Sequence, residues 1–334
     1  MAPRAFVSGC AGTALSADEI AFFRDADPFG FILFKRNCDT PEQISALTSA
    51  LRESVGRAAP VLIDQEGGRV QRLQPPHWTA YPAARVFGEI HATNADRARK
   101  AAHLGMRLIA CDLLKLGIDV DCVPCLDVPI EGAHDVIGRR AYALAPDTVS
   151  DLGRVATNGL MAGGVLPVMK HMPGHGRAGV DSHLSLPIVE TDHATLEAVD
   201  FRPFVALKDL PFAMTAHVVY TAIDAANPAT LSRTVISEII RGLIGFDGCL
   251  MTDDLSMKAL SGSVAEKASR AFAAGNDLVL HCNGDITEMR ELASCAPELT
   301  GQSLARCETA LARRRTPDAF DEAAARAEFA ALIS

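Results

Sequence analysis

The 334-residue sequence has no surplus of basic residues: 32 lysines and arginines stand against 41 aspartates and glutamates, giving a formal net charge of −9. Nucleic-acid-binding proteins normally carry a basic surplus, so we expect no nucleic-acid partner. No apolar stretch approaches the roughly 18–20 residues that a membrane helix needs, so we expect no membrane partner. The 49% hydrophobic and 22% charged fractions are those of a globular chain.

The N-terminus also lacks the apolar core of 7–15 residues that a signal peptide needs. Val7-Ser8-Gly9-Cys10 has the form of a lipoprotein cleavage site, but it is preceded by a very short apolar stretch that begins at Ala5. We therefore expect a cytoplasmic protein, in which the nine cysteines are free thiols. Cys122 and Cys125 have redox spacing, but no second such pair exists, and we interpret them as structural.

Eight short apolar runs recur along the chain. Runs of this length that are apolar almost throughout are typical of parallel strands buried on both faces. The predicted strands are Ala5–Ser8, Gly30–Phe34, Pro60–Ile63, Ile118–Val123, Val165–Met169, Phe212–Thr215, Cys249–Thr252 and Asp277–His281.

Helical patterns separate the apolar runs. Capping boxes are predicted at Ser16, Thr40 and Ser263, each followed three residues later by Glu or Gln. Longer helical patterns cover Asn94–Leu116, Asp147–Met161, His193–Leu207, Ser232–Leu243, Ile286–Ser294, Gln302–Arg313 and Asp318–Ile333.

The alternation of eight strands with helices predicts the α/β class and, within it, a single-domain (β/α)8 TIM barrel. We expect one domain over residues 1–334, with extra C-terminal helices from about residue 285 onward. The alternative is an open doubly wound sheet, which normally carries a Gly-rich phosphate turn after its first strand. Gly9-Cys10-Ala11-Gly12 is a poor version of that turn, so the barrel is favoured.

A barrel of this kind places its catalytic groups just past the C-terminal ends of its strands. Two of the polar residues found there, Asp127 and His281, could equally be loop caps. The whole set is Asp64, Asp127, Lys170, His171, His217, Asp253, Asp254 and His281.

The densest cluster of chemically active residues is the stretch Lys170–His183. Its histidines and aspartate are compatible with a metal site or with acid/base catalysis. The spacing of Asp181 and His183 favours catalysis, because a carboxylate two residues away in a loop can fix the tautomer of the ring. His175 could either stabilise the loop or take part in catalysis. We also expect the loop to close over the ligand, so that stiffening Gly174 or Gly176 would lower kcat with little loss of stability.

Three further clusters follow other strands. Asp253 and Asp254 end an apolar run, and adjacent strand side chains point to opposite sides, so one should face the barrel mouth. That carboxylate could act as a nucleophile toward a sugar, and a pair of Mg²⁺ ligands is the alternative.

In Asp64–Arg72, the first carboxylate could accept two sugar hydroxyls. Either Arg69 or Arg72 is expected to pair with Glu66 while the other faces the ligand. The pair Arg139-Arg140 is by itself a weak signal, typical of a solvated surface.

Together the four stretches resemble glycoside hydrolase family 3, and more narrowly its bacterial β-N-acetylglucosaminidases of cell-wall recycling. The resemblance covers Asp64–Arg72, Val136–Tyr142, Lys170–His183 and Thr252–Met257. It implies that Asp253 is the nucleophile and that His183 is the general acid/base, with Asp181 as its partner. It also implies five sugar-binding residues, namely Asp64, Arg72, Arg140, Lys170 and His171.

The resemblance further implies a monomeric, cofactor-free and metal-free retaining enzyme. Its substrate would carry a terminal non-reducing β-linked N-acetylglucosamine, with 1,6-anhydro-muropeptides as the physiological source. Two other reactions stay open. One is phosphorolysis on the same scaffold, and the other is metal-dependent hydrolysis with His171, His175, Asp181 and His183 as ligands.

Overall fold

A closed barrel of eight parallel strands forms the centre of the computed structural model, which describes residues 2–182 and 185–334. Neighbouring strands follow the order β1-β8-β7-β6-β5-β4-β3-β2 around the barrel. The strands are β1 (Arg4–Ser8), β2 (Pro28–Leu33), β3 (Val61–Ile63), β4 (Val120–Asp121), β5 (Leu166–Met172), β6 (Phe212–Thr215), β7 (Cys249–Asp254) and β8 (Leu278–His281). The predicted (β/α)8 barrel is therefore confirmed, and each predicted strand overlaps one of these eight.

Alternating side chains explain why the strand sequences are apolar on both faces. One set fills the barrel interior, including Val7, Leu62, Met214 and Met251. The residues between them, such as Phe6, face the surrounding helices and belong to the outer core. A strand that is buried on both sides gains from apolar residues at every position, which removes the polar alternation of a half-exposed strand.

The helices surround the barrel. Their bounds are Ala17–Ala26, Pro41–Val55, Ala84–His91, Ala95–Leu114, Pro146–Ala162, His193–Thr195, Arg202–Ala206, Val264–Ala274, Ile286–Cys295, Gly301–Leu311 and Glu322–Ile333. Two π-helical segments are Leu196–Asp200 and Val235–Leu243, and short 3₁₀ turns are Lys35–Asn37, Gly138–Arg140 and Ala229–Leu231. Two small sheets pair Gln65–Gly67 with Val70–Gln71, and Ile188–Val189 with Val219–Tyr220.

Two of the three predicted capping boxes are confirmed. The capping boxes at Ser16 and Ser263 are both complete. Thr40 caps its helix, but the side chain of Gln43 accepts a hydrogen bond from the N–H of Asp39, so the predicted box is not formed there. The predicted helix His193–Leu207 is divided into three pieces. Pro203 lies within it, and a proline has no N–H to donate to the preceding turn.

The C-terminal helices complete the barrel at its lower end and on one side. In Gly301–Leu311, Cys307 and Ala310 pack with the interior residues of the barrel. In Glu322–Ile333, Phe329 packs its ring against those of Tyr81 and Phe87.

All nine cysteines are free thiols, as predicted. Across the described part of the chain, no helix combines the length and the apolarity that crossing a membrane requires.

Candidate active site

A cavity of about 200 Å³ opens at the C-terminal ends of the strands. This is the end at which TIM barrels place their active sites. The polar and charged residues that line it are Asp64, Arg72, Arg140, Lys170, His171, His175, Ser182, Asp253 and Asp254. The structure therefore brings all five predicted sugar-binding residues together with the predicted nucleophile.

Lys170 lies at the centre of the site, near the end of β5, and its side chain is only 2% exposed. Its Nζ donates to Asp64 Oδ1 at 2.7 Å and lies 2.6 Å from Glu66 Oε1. Burial alone would lower the pKa of Lys170, but Asp64 and Glu66 raise it well above its usual value. The ammonium group therefore stays charged and holds both Asp64, which lines the cavity, and Glu66.

Asp64 follows β3 and is held from a second side by Arg72, whose Nη2 donates to Oδ2 at 2.7 Å. Burial would raise the pKa of Asp64, but Lys170 and Arg72 outweigh it and keep that pKa well below its usual range. The guanidinium of Arg72 lies over the ring of Phe34, with 4.8 Å from the guanidinium carbon to the ring centroid. This cation–π contact and the ion pair with Asp64 together restrict the orientation of the guanidinium plane.

Glu66 is the partner of Arg140, not of Arg69 or Arg72, so the predicted pairing is wrong. Nε and Nη2 of Arg140 donate to the two oxygens of Glu66 at 2.9 and 2.8 Å. Burial raises the pKa of Glu66, but Arg140 and Lys170 bring it down to about 2. Arg69 instead reaches the 135–136 backbone carbonyls, because the hairpin after β3 turns it outward.

The adjacent arginines 139 and 140 have opposite surroundings. Arg139 is exposed and pairs with Glu89, as expected for a solvated arginine. Arg140 is 10% exposed and enters the cavity wall. The 3₁₀ turn Gly138–Arg140 separates the two directions. The spacing of the two arginines gave no sign of this difference, which only the family resemblance indicated.

Asp127, which could have been a loop cap, holds two histidines. His171 Nδ1 donates to Asp127 Oδ2 at 2.7 Å, and the backbone N–H of His175 donates to Oδ1 at 2.6 Å. With Nδ1 as the donor, His171 presents its Nε2 lone pair toward Arg140 Nη2 at 3.4 Å. Burial would raise the pKa of Asp127, but the two histidines hold it well below its usual range.

Asp253 and Asp254 both line the cavity, which bears on the prediction that adjacent side chains of this strand point to opposite sides. The pairing of β7 with β8 shifts register between Met251 and Asp254, and such a bulge re-aims side chains. Asp254 is fixed by the backbone N–H groups of Ser256 and Cys282, at 3.0 and 3.1 Å from its Oδ1. Asp253 Oδ1 accepts from the Asp254 N–H at 2.8 Å.

The first half of the 170–183 loop is held firmly in place. Arg177 Nε donates to the buried Asp200 at 2.7 Å, and the Tyr220 hydroxyl donates to the carbonyl of Gly174. At Gly176, an added Cβ would lie 2.0 Å from the Val128 carbonyl oxygen. The expectation that Gly176 can be stiffened without loss of stability is therefore wrong, because a side chain there must displace backbone.

Of the two residues of the predicted dyad, the structure describes only one. Asp181 is partly buried, and its carbonyl accepts from the Ser185 N–H at 3.0 Å. His183 lies outside the described residues. The predicted roles of both residues, and of the rest of the site, remain predictions.

One group of metal-ligating side chains occurs among residues 2–182 and 185–334, namely Cys125, Asp127 and His171. Of the four ligands in the metal-dependent alternative, it contains only His171. The Cys125 thiol donates to Asp127 Oδ2 at 3.2 Å, and the same oxygen accepts from His171. These side chains therefore already satisfy one another as a hydrogen-bonded group.

Residues 16–313 match the N-terminal domain of glycosyl hydrolase family 3. The chain belongs to this family and is a glycoside hydrolase, as the sequence resemblance implied. It is 41% identical over 281 residues to the β-hexosaminidase of Alkalilimnicola ehrlichii, covering 82% of this chain and 79% of the relative. It is 34% identical to that of Aromatoleum aromaticum, covering 93% of this chain and 88% of the relative.

The structure is also similar to NagZ from Neisseria gonorrhoeae, crystallised in complex with N-trifluoroacetyl-D-glucosamine. The TM-score is 0.90 at 32% identity, covering 100% of this chain and 99% of that chain. The chain is thus a NagZ-like member of the family and an enzyme of the β-hexosaminidase group.

Proposed function

We propose that the chain is a retaining exo-β-N-acetylglucosaminidase that removes a terminal non-reducing β-linked N-acetylglucosamine. The observation that carries this proposal is the cavity itself. Its volume of about 200 Å³ is small, below the roughly 300–1,000 Å³ of a pocket for a drug-sized ligand. A site of that size suits one sugar unit at the end of a chain. The β-hexosaminidase names of the relatives and the N-trifluoroacetyl-D-glucosamine in the structure of gonococcal NagZ support the substrate class.

The polar wall suits recognition of sugar hydroxyls. Asp64 is an ionised acceptor, while Arg72, Arg140 and Lys170 are donors that stay charged. Hydrogen bonds to charged groups are about twice as strong as neutral ones, and buried partners fix their direction. In this proposal these four residues, with His171, orient the ring so that its anomeric carbon faces Asp253.

Asp253 is the proposed nucleophile. Its carboxylate attacks the anomeric carbon through an oxocarbenium-like transition state, and the bond to the leaving oxygen breaks. His183 gives its proton to that oxygen. In the second step His183 takes a proton from water, which attacks the same carbon and releases Asp253. Two inversions give retention. The hydrogen bond from the Asp254 N–H fixes the plane of the attacking carboxylate.

We also make proposals about the domain organisation, oligomeric state, location and natural substrate of the enzyme. We infer that residues 1–334 form a single catalytic domain that acts as a monomer in the cytoplasm. We also infer that 1,6-anhydro-muropeptides are the source of its substrate, which places the enzyme in peptidoglycan recycling.

The test is release of p-nitrophenol from p-nitrophenyl β-N-acetylglucosaminide by wild type and Asp253→Asn. The amide preserves volume and can still accept from the Asp254 N–H, but it cannot form the glycosyl ester. We expect activity to fall by about 10³-fold or more, since the nucleophile enters the transition state directly. Asp285→Asn, at an exposed helix cap far along the chain, is the matched control.

The same assay separates the other reactions. Activity that is unaffected by chelator and phosphate supports the hydrolase. Production of glycosyl phosphate would change the reaction to phosphorolysis, and loss of activity to chelator would favour the metal-dependent reaction. A glycosyl adduct on Asp253, detected by mass spectrometry of a quenched His183→Ala reaction, would support the covalent step.

A further inference from the structure

His175 and Ser182 are two buried polar residues of the cavity wall with no part in the reaction described above. Their exposed fractions are 2% and 3%, and both line the cavity. His175 Nε2 lies 3.1 Å from Ser182 Oγ, within hydrogen-bond distance. The contact therefore joins the firmly held start of the 170–183 loop to its far end, seven residues along the chain.

The His175 end of this contact is rigid. Its backbone N–H donates to Asp127 Oδ1 at 2.6 Å, and Asp127 also holds the ring of His171. The preceding Gly174 is held by Tyr220, and the following Gly176 lies against the backbone at Val128. A hydrogen bond to a side chain whose backbone is held in this way restrains the position of its partner.

The Ser182 end lies within the predicted catalytic sequence. Asp181 precedes it directly, and His183 follows it directly in the chain. Fixing Ser182 therefore restricts the backbone of Asp181, the predicted partner of His183.

We propose that His175 and Ser182 are positioning residues, whose hydrogen bond fixes the Asp181–Ser182 segment and thereby Asp181, the predicted partner of the acid/base His183. This inference rests on the proposed function. In this role His175 takes no part in the chemistry itself. It acts through His183, the residue that protonates the leaving oxygen in the proposed function.

The charge of His175 is compatible with this role. Burial, and then the neighbouring His171, lower the pKa of His175 to about 4. The ring is therefore neutral near pH 7, and the Ser182 contact does not titrate in the range where a histidine acid/base works.

The test compares leaving groups. Proton donation matters most for a poor leaving group, so a misplaced acid/base slows phenyl β-N-acetylglucosaminide far more than the 2,4-dinitrophenyl glycoside. In Ser182→Ala we expect kcat/KM to fall about tenfold for the phenyl glycoside and less than about twofold for the dinitrophenyl one. The matched control is Ser185→Ala, an exposed hydroxyl three residues further along the chain, which should leave both values unchanged. An equal loss on both substrates would indicate a merely structural role and overturn the inference.

A double-mutant cycle with His183→Ala gives the second measurement. If Ser182 acts through His183, Ser182→Ala adds nothing on the dinitrophenyl or phenyl glycoside once His183 is removed. A full tenfold further loss on the phenyl glycoside would overturn the positioning role. His183→Ala alone tests the proposed function. If His183→Ala slows both glycosides equally, the acid/base assignment of His183 fails. If His183→Ala slows the phenyl glycoside selectively but Ser182→Ala does not, only the positioning role of Ser182 fails.

Discussion

At the scale of the residue, the site depends on a chain of buried charges in which each group compensates its neighbours. Arg72, Asp64, Lys170, Glu66 and Arg140 form this chain in that order. A buried charge that loses its partner has no solvent to replace it, so removal of one member costs more than the pair contributes.

Lys170→Met is predicted to destabilise the protein by about 3–5 kcal/mol, because it leaves two buried carboxylates without their shared cation. Activity should be lost even where the variant remains folded. Urea unfolding followed by circular dichroism measures the stability. Lys100→Met, which removes an exposed partner of Glu328, is the control and should change it by less than about 1 kcal/mol. Equal stability of the two variants would contradict the charge-chain account.

Asp121 is predicted to make stability depend on pH. Burial raises the pKa of this carboxyl to about 8, and its Oδ2 has no hydrogen-bond partner within the described chain. Because the pKa is higher in the folded state, its contribution is fully present below the unfolded value of about 3.9 and is lost as pH rises to about 8. Asp121→Asn should remove that loss, so its stability relative to wild type should rise between pH 5 and 8. Thermal unfolding of both proteins at several pH values between 5 and 8 measures this difference. If the difference in stability between Asp121→Asn and wild type does not change with pH, the prediction is wrong.

At the scale of the element, the 170–183 loop divides into a fixed part and an open part. Gly176 lies against backbone, whereas an added Cβ at Gly179 meets no heavy atom within 4 Å. The glycines of this loop could not be distinguished from the sequence, because the atoms that lie beside each of them are set by the tertiary structure.

Gly176→Ala is predicted to lower stability by about 1–3 kcal/mol, as overpacking does in a dense region. Gly179→Ala should stay within about 0.5 kcal/mol of wild type. Denaturant unfolding compares them, and similar stabilities would mean that the loop relaxes around the extra methyl group at little cost.

The helix Ala84–His91 shows what the sequence could not reveal about elements. It begins at Ala83 without a side-chain cap, and Gly88 lies inside it. Both features lower the helical signal. The structure explains the glycine, since a Cβ there would lie 1.8 Å from the Tyr142 carbonyl oxygen. The helix therefore approaches the segment that carries Arg140 closely, which is a tertiary demand and not a local one.

At the scale of the whole molecule, the barrel and the converging site residues could be predicted because both follow from local patterns. Buried strands read as apolar runs, and their polar ends meet at one rim. The pairings within the site could not be predicted. The partner of Glu66 is 74 residues away, and a bulge in β7 decides where Asp253 and Asp254 point. Such choices depend on register and three-dimensional distance.

Phe329→Ala is predicted to lower the free energy of unfolding by about 3–5 kcal/mol while leaving KM near the wild-type value. The ring lies 5% exposed on the last helix, against Tyr81 and Phe87, away from the cavity lining. Urea titration and steady-state kinetics at 25 °C measure both quantities. A raised KM with unchanged stability would mean that this helix affects the site directly.

The chain of charges from Arg72 to Arg140 also has a consequence for how this sequence can change over generations. Any single replacement that removes one of these charges passes through an intermediate with an uncompensated interior ion, so neutral loss of charge at these five positions is blocked one step at a time. Escape requires two or more coordinated replacements in one lineage. The five residues therefore behave as one inherited unit, although they are spread from residue 64 to residue 170 of the gene product.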